Sequence, residues 1–509
     1  MPSTNLLQQF GLNRNPFTDR TAEKTFLDET SLYRHSDLQG FVPSETTYIF
    51  FGRRGCGKTT IRLMMQRTYD EYNKKMREEG QSKGHFCVDL CRPGHMTACL
   101  REFKTRTGAR DDNWDAKFQE NWDSADLVDC VLSYAATELV SAAAKQGCAA
   151  GGIIDKLKGD NKRSQQFLIL AHLYARTDQS TLSYLRKALI TPKYSPAEMT
   201  KAAGYSVAGV TGSLAVIQLP AIAGPLSEAG GKVWDVIADH VPGLRENPKI
   251  YGALTVALAC VTTNRYLNYQ RRRAISRATL LQSFVRVVQQ SPAEIVGKLL
   301  NQLFDQDETV DTIRSINIGV SGHQKLDLLA ELVVLLGYES LAVFGDCFDE
   351  VTLLDPVTFP GAIKVFAREV CRNDLLNFGR LHFFFPDSRL ALDLSTDKTL
   401  KEARFDRHFV RDLTWSRHQL EELAERRYRA AQLANGLPGE DEVPQTSFSD
   451  LFKKVRGEDF SSYISKLSTP RELLIMMSEM FARMEAHPEG GLTAQDMEIA
   501  VTKALEQAV

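Results

Sequence analysis

The sequence of 509 residues lacks a surplus of charge of either sign. Its 62 lysines and arginines face 64 aspartates and glutamates, which gives a formal net charge of -2 at pH 7. No overall positive field therefore attracts nucleic acid, and any such binding would depend on local patches. The hydrophobic content of 43% and the charged content of 25% are those of an ordinary folded protein. The length allows about two to four domains.

The sequence also lacks paired cysteines and a secretory leader pattern. Its nine cysteines contain no CxxC pair, which is typical of reduced thiols in the cytoplasm. Residues 1–10 show no cationic segment followed by an apolar run, so we expect a cytoplasmic protein. One cluster leaves two interpretations open, a structural zinc site or thiols packed beside a strand. Its members are His85, Cys87, Cys91, His95 and Cys99.

Charge is missing locally from two runs, 202–227 and 250–264. As a membrane hairpin, the first run would be long enough to cross about 30 Å of hydrocarbon. Lys201 before the hairpin and the arginines after it would supply the positive flanks expected on the cytoplasmic side. As a soluble pair, the two runs would be helices packed closely through their small residues. Pro220 and Pro225 favour this second interpretation, because they interrupt the first run.

The most informative motif is the segment Gly52–Thr59, which matches the pattern GxxxxGK[ST]. An apolar run that predicts a strand precedes it, and a run that predicts a helix follows. Glycines allow the backbone amides to close around a polyphosphate, and the helix N-terminus favours the anion. Lys58 would reach the β- and γ-phosphates, and the Thr59 hydroxyl would bind Mg2+. The predicted nucleotide-binding residues of this loop are Gly52, Gly55, Cys56, Gly57, Lys58, Thr59 and Thr60.

Cys56 lies inside this loop. Backbone amides and a helix N-terminus stabilise a thiolate, so we expect the pKa of the Cys56 thiol to be lowered.

A second motif follows the short apolar run Leu341–Gly345, which predicts a buried strand. Asp346 comes directly after it and is placed to hold Mg2+ through water. Asp349 and Glu350 are two candidates for orienting the water that attacks the γ-phosphate. The sequence does not decide between them.

Two arginines are candidates for contact with the γ-phosphate. Arg389 follows the apolar run Leu381–Phe385, and Arg471 opens a predicted helix near the C-terminus. A guanidinium group suits phosphate recognition, although each arginine is equally compatible with a surface position.

The alternation of predicted strands and helices indicates an α/β fold, a P-loop NTPase core with a parallel sheet that is covered on both faces. A large helical insertion and a C-terminal helical lid complete it. The predicted domains are an N-terminal arm (1–45), a first part of the core (46–110), a helical insertion (111–314) containing the hairpin 202–264, a second part of the core (315–413) and a lid (414–509).

The acidic motif Asp346–Glu350 resembles that of STAND ATPases of the NACHT type, in which glycine usually occupies the position of Cys347. The segment Pro386–Arg389 is similar to their strand-end motif with its sensor arginine. Pro470 matches the lid proline that lies near the adenine in that family. The large insertion is similar to the KAP branch of these NTPases, and Phe10–Phe17 resembles the start of AAA+ ATPases of the secretion and transposition type.

The resemblance implies ATP and Mg2+ as cofactors and a homo-oligomer. The expected function is an ATP-hydrolysing switch that couples nucleotide state to conformation or oligomerisation, with association of residues 202–264 with a membrane left open. One alternative is a nucleic-acid-handling ATPase of the AAA+ type, and another is a nucleotide-dependent scaffold that does not hydrolyse ATP. The phosphate contacts of the first alternative would be Arg101, Lys104, Arg106, Arg110 and Arg271–Arg273.

Overall fold

The computed structural model describes residues 10–19, 35–43, 45–158, 160–190, 271–288, 291–303, 323–372, 379–386, 408–433, 460–486 and 492–508, together with residues 7, 33, 268, 269 and 448. The predicted uncharged hairpin 202–264 lies outside these residues, so both interpretations of it stay predictions.

A five-stranded parallel sheet is the centre of the fold, in the order β2-β3-β4-β1-β5. This confirms the predicted α/β class. The strands are β1 (Thr47–Phe51), β2 (Gly84–Asp89), β3 (Tyr338–Gly345), β4 (Gly379–Phe385) and β5 (His408–Asp412). β3 begins three residues before the predicted apolar run. Its first residues are only partly buried and pair with the start of β2, so no run of apolar residues marks them.

Both faces of the sheet are covered, as the alternation predicts. Tyr48 and Phe50 of β1 face one helix, α1 (Lys58–Glu78), and pack in one cluster with its residues Ile61, Met65 and Tyr69. Ile49 and Phe51 face the opposite side and belong to the larger core. Successive side chains of a strand point to opposite faces, so each apolar strand contributes to two cores.

Helices from the predicted insertion form part of the larger core. One of them, α4 (Ser124–Gln146), is in contact with β2 and with helices from the second part of the core. The helices up to residue 372 are α2 (Pro93–Thr107), α3 (Trp114–Asn121), α4, α5 (Ile153–Lys158), α6 (Asn161–Tyr174), α7 (Gln179–Leu189), α8 (271–283), α9 (Ala293–Leu303), α10 (His323–Leu335) and α11 (Pro360–Arg372). The insertion therefore covers the sheet directly.

Within the described residues, α4 alone is long and apolar enough to cross a membrane. However, 72% of its apolar window is buried inside the protein. Asp123 caps its N-terminus by accepting hydrogen bonds from two backbone amides. These features are those of a core helix.

A separate apolar cluster joins the two ends of the chain. It contains Leu7, Phe10, Leu12 and Phe17 together with residues of the helices α12 (Arg417–Leu433), α13 (Phe460–Ile464), α14 (Pro470–Ala486) and α15 (Ala494–Gln507). Arg427 Nε donates to the carbonyl of Pro16 at 2.8 Å, and the rings of Phe17 and Phe481 are 5.6 Å apart. Thr493 caps α15, as its position predicts. The N-terminal segment is thus part of the C-terminal helical unit.

Candidate functional site

The loop from Gly52 to Gly57 connects β1 to α1 at the carboxyl edge of the sheet, the edge at which the parallel strands end. Gly55 and Gly57 have φ values of 85° and 92°, a left-handed conformation that favours glycine. A methyl group added at Gly52 would lie 2.5 Å from Cys56 Sγ. Each of these glycines is therefore required by the shape of the loop. The helix α1 starts at Lys58, with its N-terminal end at this loop.

Lys58 is folded back over the same loop. Its Nζ donates to the carbonyl of Gly52 at 2.7 Å and to that of Arg53 at 3.3 Å. The residue is 9% exposed. The ammonium group therefore lies among the loop carbonyls at the start of α1, the part of the loop to which an anion would bind.

Thr59 is joined to Asp346 across 287 residues of sequence. The Thr59 hydroxyl donates to Asp346 Oδ2 at 3.0 Å, and the Cys347 amide donates to Asp346 Oδ1 at 2.8 Å. Asp346 follows β3 directly and is 3% exposed. The structure thus brings the two predicted metal-site residues together.

Sequence reasoning missed Arg62, which is a third member of this group. It is buried, and its Nε donates to Asp346 Oδ2 at 3.2 Å. Burial raises the pKa of the Asp346 carboxyl group, whereas the Cys347 amide, the Arg62 guanidinium and the Thr59 hydroxyl oppose that rise. The available signal was helical spacing, because residues i and i+4 share one face and Arg62 is four positions after Lys58.

Asp349 and Glu350 lie in a short 3-10 turn, Phe348–Glu350, directly after this group. Both are exposed, and within the described residues neither side chain makes a hydrogen bond or an ion pair. The turn starts at Cys347, whose φ of 61° is the one positive value found at a described residue other than glycine. A left-handed backbone at this position agrees with the glycine usual in the STAND motif.

The start of α14 covers the loop from the other side. The Arg471 amide donates to the carbonyl of Gly55 at 3.2 Å, and a methyl group added at Gly55 would lie 2.5 Å from Arg471 Cβ. Pro470, the first residue of α14, lies near Gly57. Arg471 is therefore at the loop, as predicted, while the other candidate, Arg389, lies outside the described residues.

Trp415 is a second residue that sequence reasoning missed. Its Nε1 donates to the carbonyl of Cys56 at 2.8 Å, and its ring faces Gly57. His35 and Tyr33 flank the ring at centroid distances of 5.0 and 5.4 Å. A single tryptophan three residues beyond the end of β5 gives no local signal of such a contact.

The expectation of a lowered pKa for the Cys56 thiol is wrong. Cys56 is 1% exposed, and burial raises the pKa of its thiol in spite of the opposing effect of Lys58. Desolvation disfavours the thiolate more strongly than the loop stabilises it.

Of the two interpretations of the cluster at 85–99, the structure does not support the zinc site. His85 bonds to Ser340 at 2.8 Å and His95 to Ser133 at 2.9 Å, and no group of three metal ligands forms among the described residues.

No family model, curated protein or solved structure matches this chain. The resemblance to STAND and AAA+ ATPases therefore depends on the motif residues of the sequence alone.

The predicted phosphate contacts of the nucleic-acid alternative are divided between two places. Lys104 of α2 pairs with Asp111 and lies 5.9 Å from the centre of the Trp114 ring. Arg271–Arg273 are exposed on α8. No described contact assembles these residues into one surface.

Proposed function

We propose that this chain binds Mg-ATP at the carboxyl edge of its sheet and hydrolyses it as a conformational switch. The observation that carries the proposal is the contact between Thr59 and Asp346. It joins a glycine loop with the GxxxxGK[ST] pattern to an acidic strand end across most of the chain. In parallel α/β folds, ligands bind at this edge.

The residues present suit a polyphosphate and a hard cation. The left-handed loop, the N-terminus of α1 and Lys58 supply the positive groups for phosphate oxygens. The Thr59 hydroxyl donates a hydrogen bond to Asp346, which leaves the lone pairs of the hydroxyl oxygen for a cation. Thr59 and Asp346 would hold Mg2+, as direct and outer ligand respectively. When bound, the ion would neutralise charge on the phosphate oxygens.

The proposed switch depends on the contact between the loop and α14. The Gly55 carbonyl accepts from the Arg471 amide, and the Cys56 carbonyl accepts from Trp415. A change in loop conformation on ATP binding or hydrolysis would therefore act on the C-terminal helices. The homo-oligomer and the membrane contact are expectations from the sequence alone.

Lys58→Ala tests the binding site. We expect ATP affinity to fall by about 2–4 kcal/mol, because a buried phosphate loses its charge partner. Titration with a fluorescent ATP analogue measures this loss. Lys75→Ala is the control, since Lys75 is an exposed lysine of the same helix. Unchanged affinity in a folded Lys58→Ala variant would rule out this site.

A non-hydrolysing scaffold is a second candidate, favoured by the exposure of Asp349 and Glu350. Among the residues that the structure describes, none forms a hydrogen bond that would hold either side chain in place to orient a water. Phosphate release distinguishes the two functions, since the scaffold predicts ATP binding without turnover. Turnover that rises when DNA is added would instead select the nucleic-acid-handling alternative.

A further inference from the structure

Arg62 occupies an unusual place for a charged residue. It lies one helical turn after Lys58 and Thr59 on α1 and is 6% exposed. Its Nη1 donates to Gln66 Oε1 at 2.9 Å, and its Nε donates to Asp346 Oδ2. Buried arginines are found where their fork is fixed by specific acceptors. Here one of these acceptors is a metal-site candidate.

The orientation of the Asp346 carboxylate is fixed by three donors. The Cys347 amide holds Oδ1, whereas Oδ2 accepts from both the Thr59 hydroxyl and the Arg62 guanidinium. Thr59 Oγ1 keeps its lone pairs for a cation only while its proton points towards Oδ2. Outer-shell groups of this kind orient the direct ligands of a metal.

We propose that Arg62 is a positioning residue that acts through Asp346 and sets how strongly nucleotide binding depends on Mg2+. This inference rests on the function proposed above. Arg62 holds Oδ2 opposite Thr59, Asp346 then orients the Thr59 hydroxyl, and this hydroxyl meets the cation. In this arrangement Arg62 would act only through Asp346 and would not be a direct ligand of the cation.

The test measures the affinity for a fluorescent ATP analogue with Mg2+ and with EDTA, in the full-length protein. For Arg62→Met we expect the ratio of the affinity with Mg2+ to the affinity with EDTA to fall about tenfold, as for outer-shell substitutions at metal sites. The affinity in EDTA should change less than twofold. Arg62→Lys, which retains the charge, should recover part of the gain. Arg67→Met is the matched control, because Arg67 is a half-exposed arginine of the same helix.

A double-mutant cycle separates positioning from a general effect on folding. If Arg62 acts through Asp346, adding Arg62→Met to Asp346→Asn should not lower the Mg2+ dependence further. Arg62→Met alone leaves the buried Asp346 carboxylate without its arginine partner and could misfold. The double variant lacks this carboxylate, so it should fold even if the single variant does not. Equal losses with Mg2+ and with EDTA, or an additive loss in the cycle, would overturn the proposal. If Lys58→Ala binds nucleotide as the wild type does, the proposed function itself fails, whatever the Arg62 variants show.

Discussion

At the scale of single residues, Asp349 and Glu350 are the two candidates for orienting the attacking water. Both extend from the turn that follows Asp346. We expect Glu350→Gln to leave ATP binding intact and to slow hydrolysis by about 100-fold or more, as for loss of a general base. Single-turnover hydrolysis and nucleotide titration measure the two effects. Normal hydrolysis by Glu350→Gln together with loss of hydrolysis in Asp349→Asn would transfer the role to Asp349.

The residues that sequence reasoning found and missed differ in a physical way. Lys58, Thr59 and Asp346 belong to short motifs whose chemistry follows from local spacing. Arg62 and Trp415 gain their roles from partners 284 and 359 residues away. Helical spacing places Arg62 on the face of Lys58, but no local pattern identifies the distant partner of either residue. Cys56 shows the converse, since its position in the motif suggested a reactive thiol and its burial gives the opposite pKa shift.

At the scale of elements, the apolar runs located β1, β3 and β4, and their alternation with helices indicated parallel pairing. The order of the strands was not predictable, because a parallel crossover of any length can reach several positions. The packing of Leu7, Phe10, Leu12 and Phe17 against the C-terminal helices was also missed. It depends on apolar side chains that meet only in the folded molecule.

The contact between the loop and α14 can be tested with two glycines. Gly55 and Gly80 both have positive φ, but only Gly55 faces another element, since nothing lies within 4 Å of a methyl group at Gly80. We expect Gly80→Ala to lower the free energy of unfolding by about 1 kcal/mol through backbone strain. Gly55→Ala should cost about 1–3 kcal/mol more, because the methyl group meets Arg471. Urea unfolding measures both.

Hydrogen exchange of the α14 amides shows whether that helix is displaced. We expect the α14 amides to exchange faster in Gly55→Ala than in the wild type, and at the wild-type rate in Gly80→Ala. If both variants lose the same free energy of unfolding and the exchange of the α14 amides is unchanged, α14 does not pack against the loop.

At the scale of the whole molecule, two buried histidines make stability depend on pH. Burial lowers the pKa of His382 to about 3, with a second contribution from Arg380, and burial lowers the pKa of His172 to about 4. Between these values and about 6.5 the unfolded chain takes up protons that the folded chain does not. The histidine contribution to the free energy of unfolding should therefore decrease as pH falls. Burial raises the pKa of Asp126 to about 8 and that of Glu138 to about 7, and these two groups contribute in the opposite direction.

From pH 7 to pH 5 we expect a loss of about 2 kcal/mol for each histidine, from about 1.4 kcal/mol per pH unit. Urea unfolding at a series of pH values measures this slope. His382→Gln retains a partner for Tyr69, and over this pH range its free energy of unfolding should change by about 2 kcal/mol relative to that of the wild type, in the direction of greater stability at pH 5. A slope equal to that of the wild type in this variant would exclude His382 as a cause.

The position of β1 has a consequence for synthesis on the ribosome. Both neighbours of β1 come from residues beyond 378, although β1 itself ends at Phe51. A growing chain therefore carries the apolar strand Thr47–Phe51 without either partner for on the order of a minute or less, at about 5–20 residues per second. The phosphate loop cannot be fixed during that time. We therefore expect chaperones to bind the nascent chain at this strand until β5 has left the ribosome.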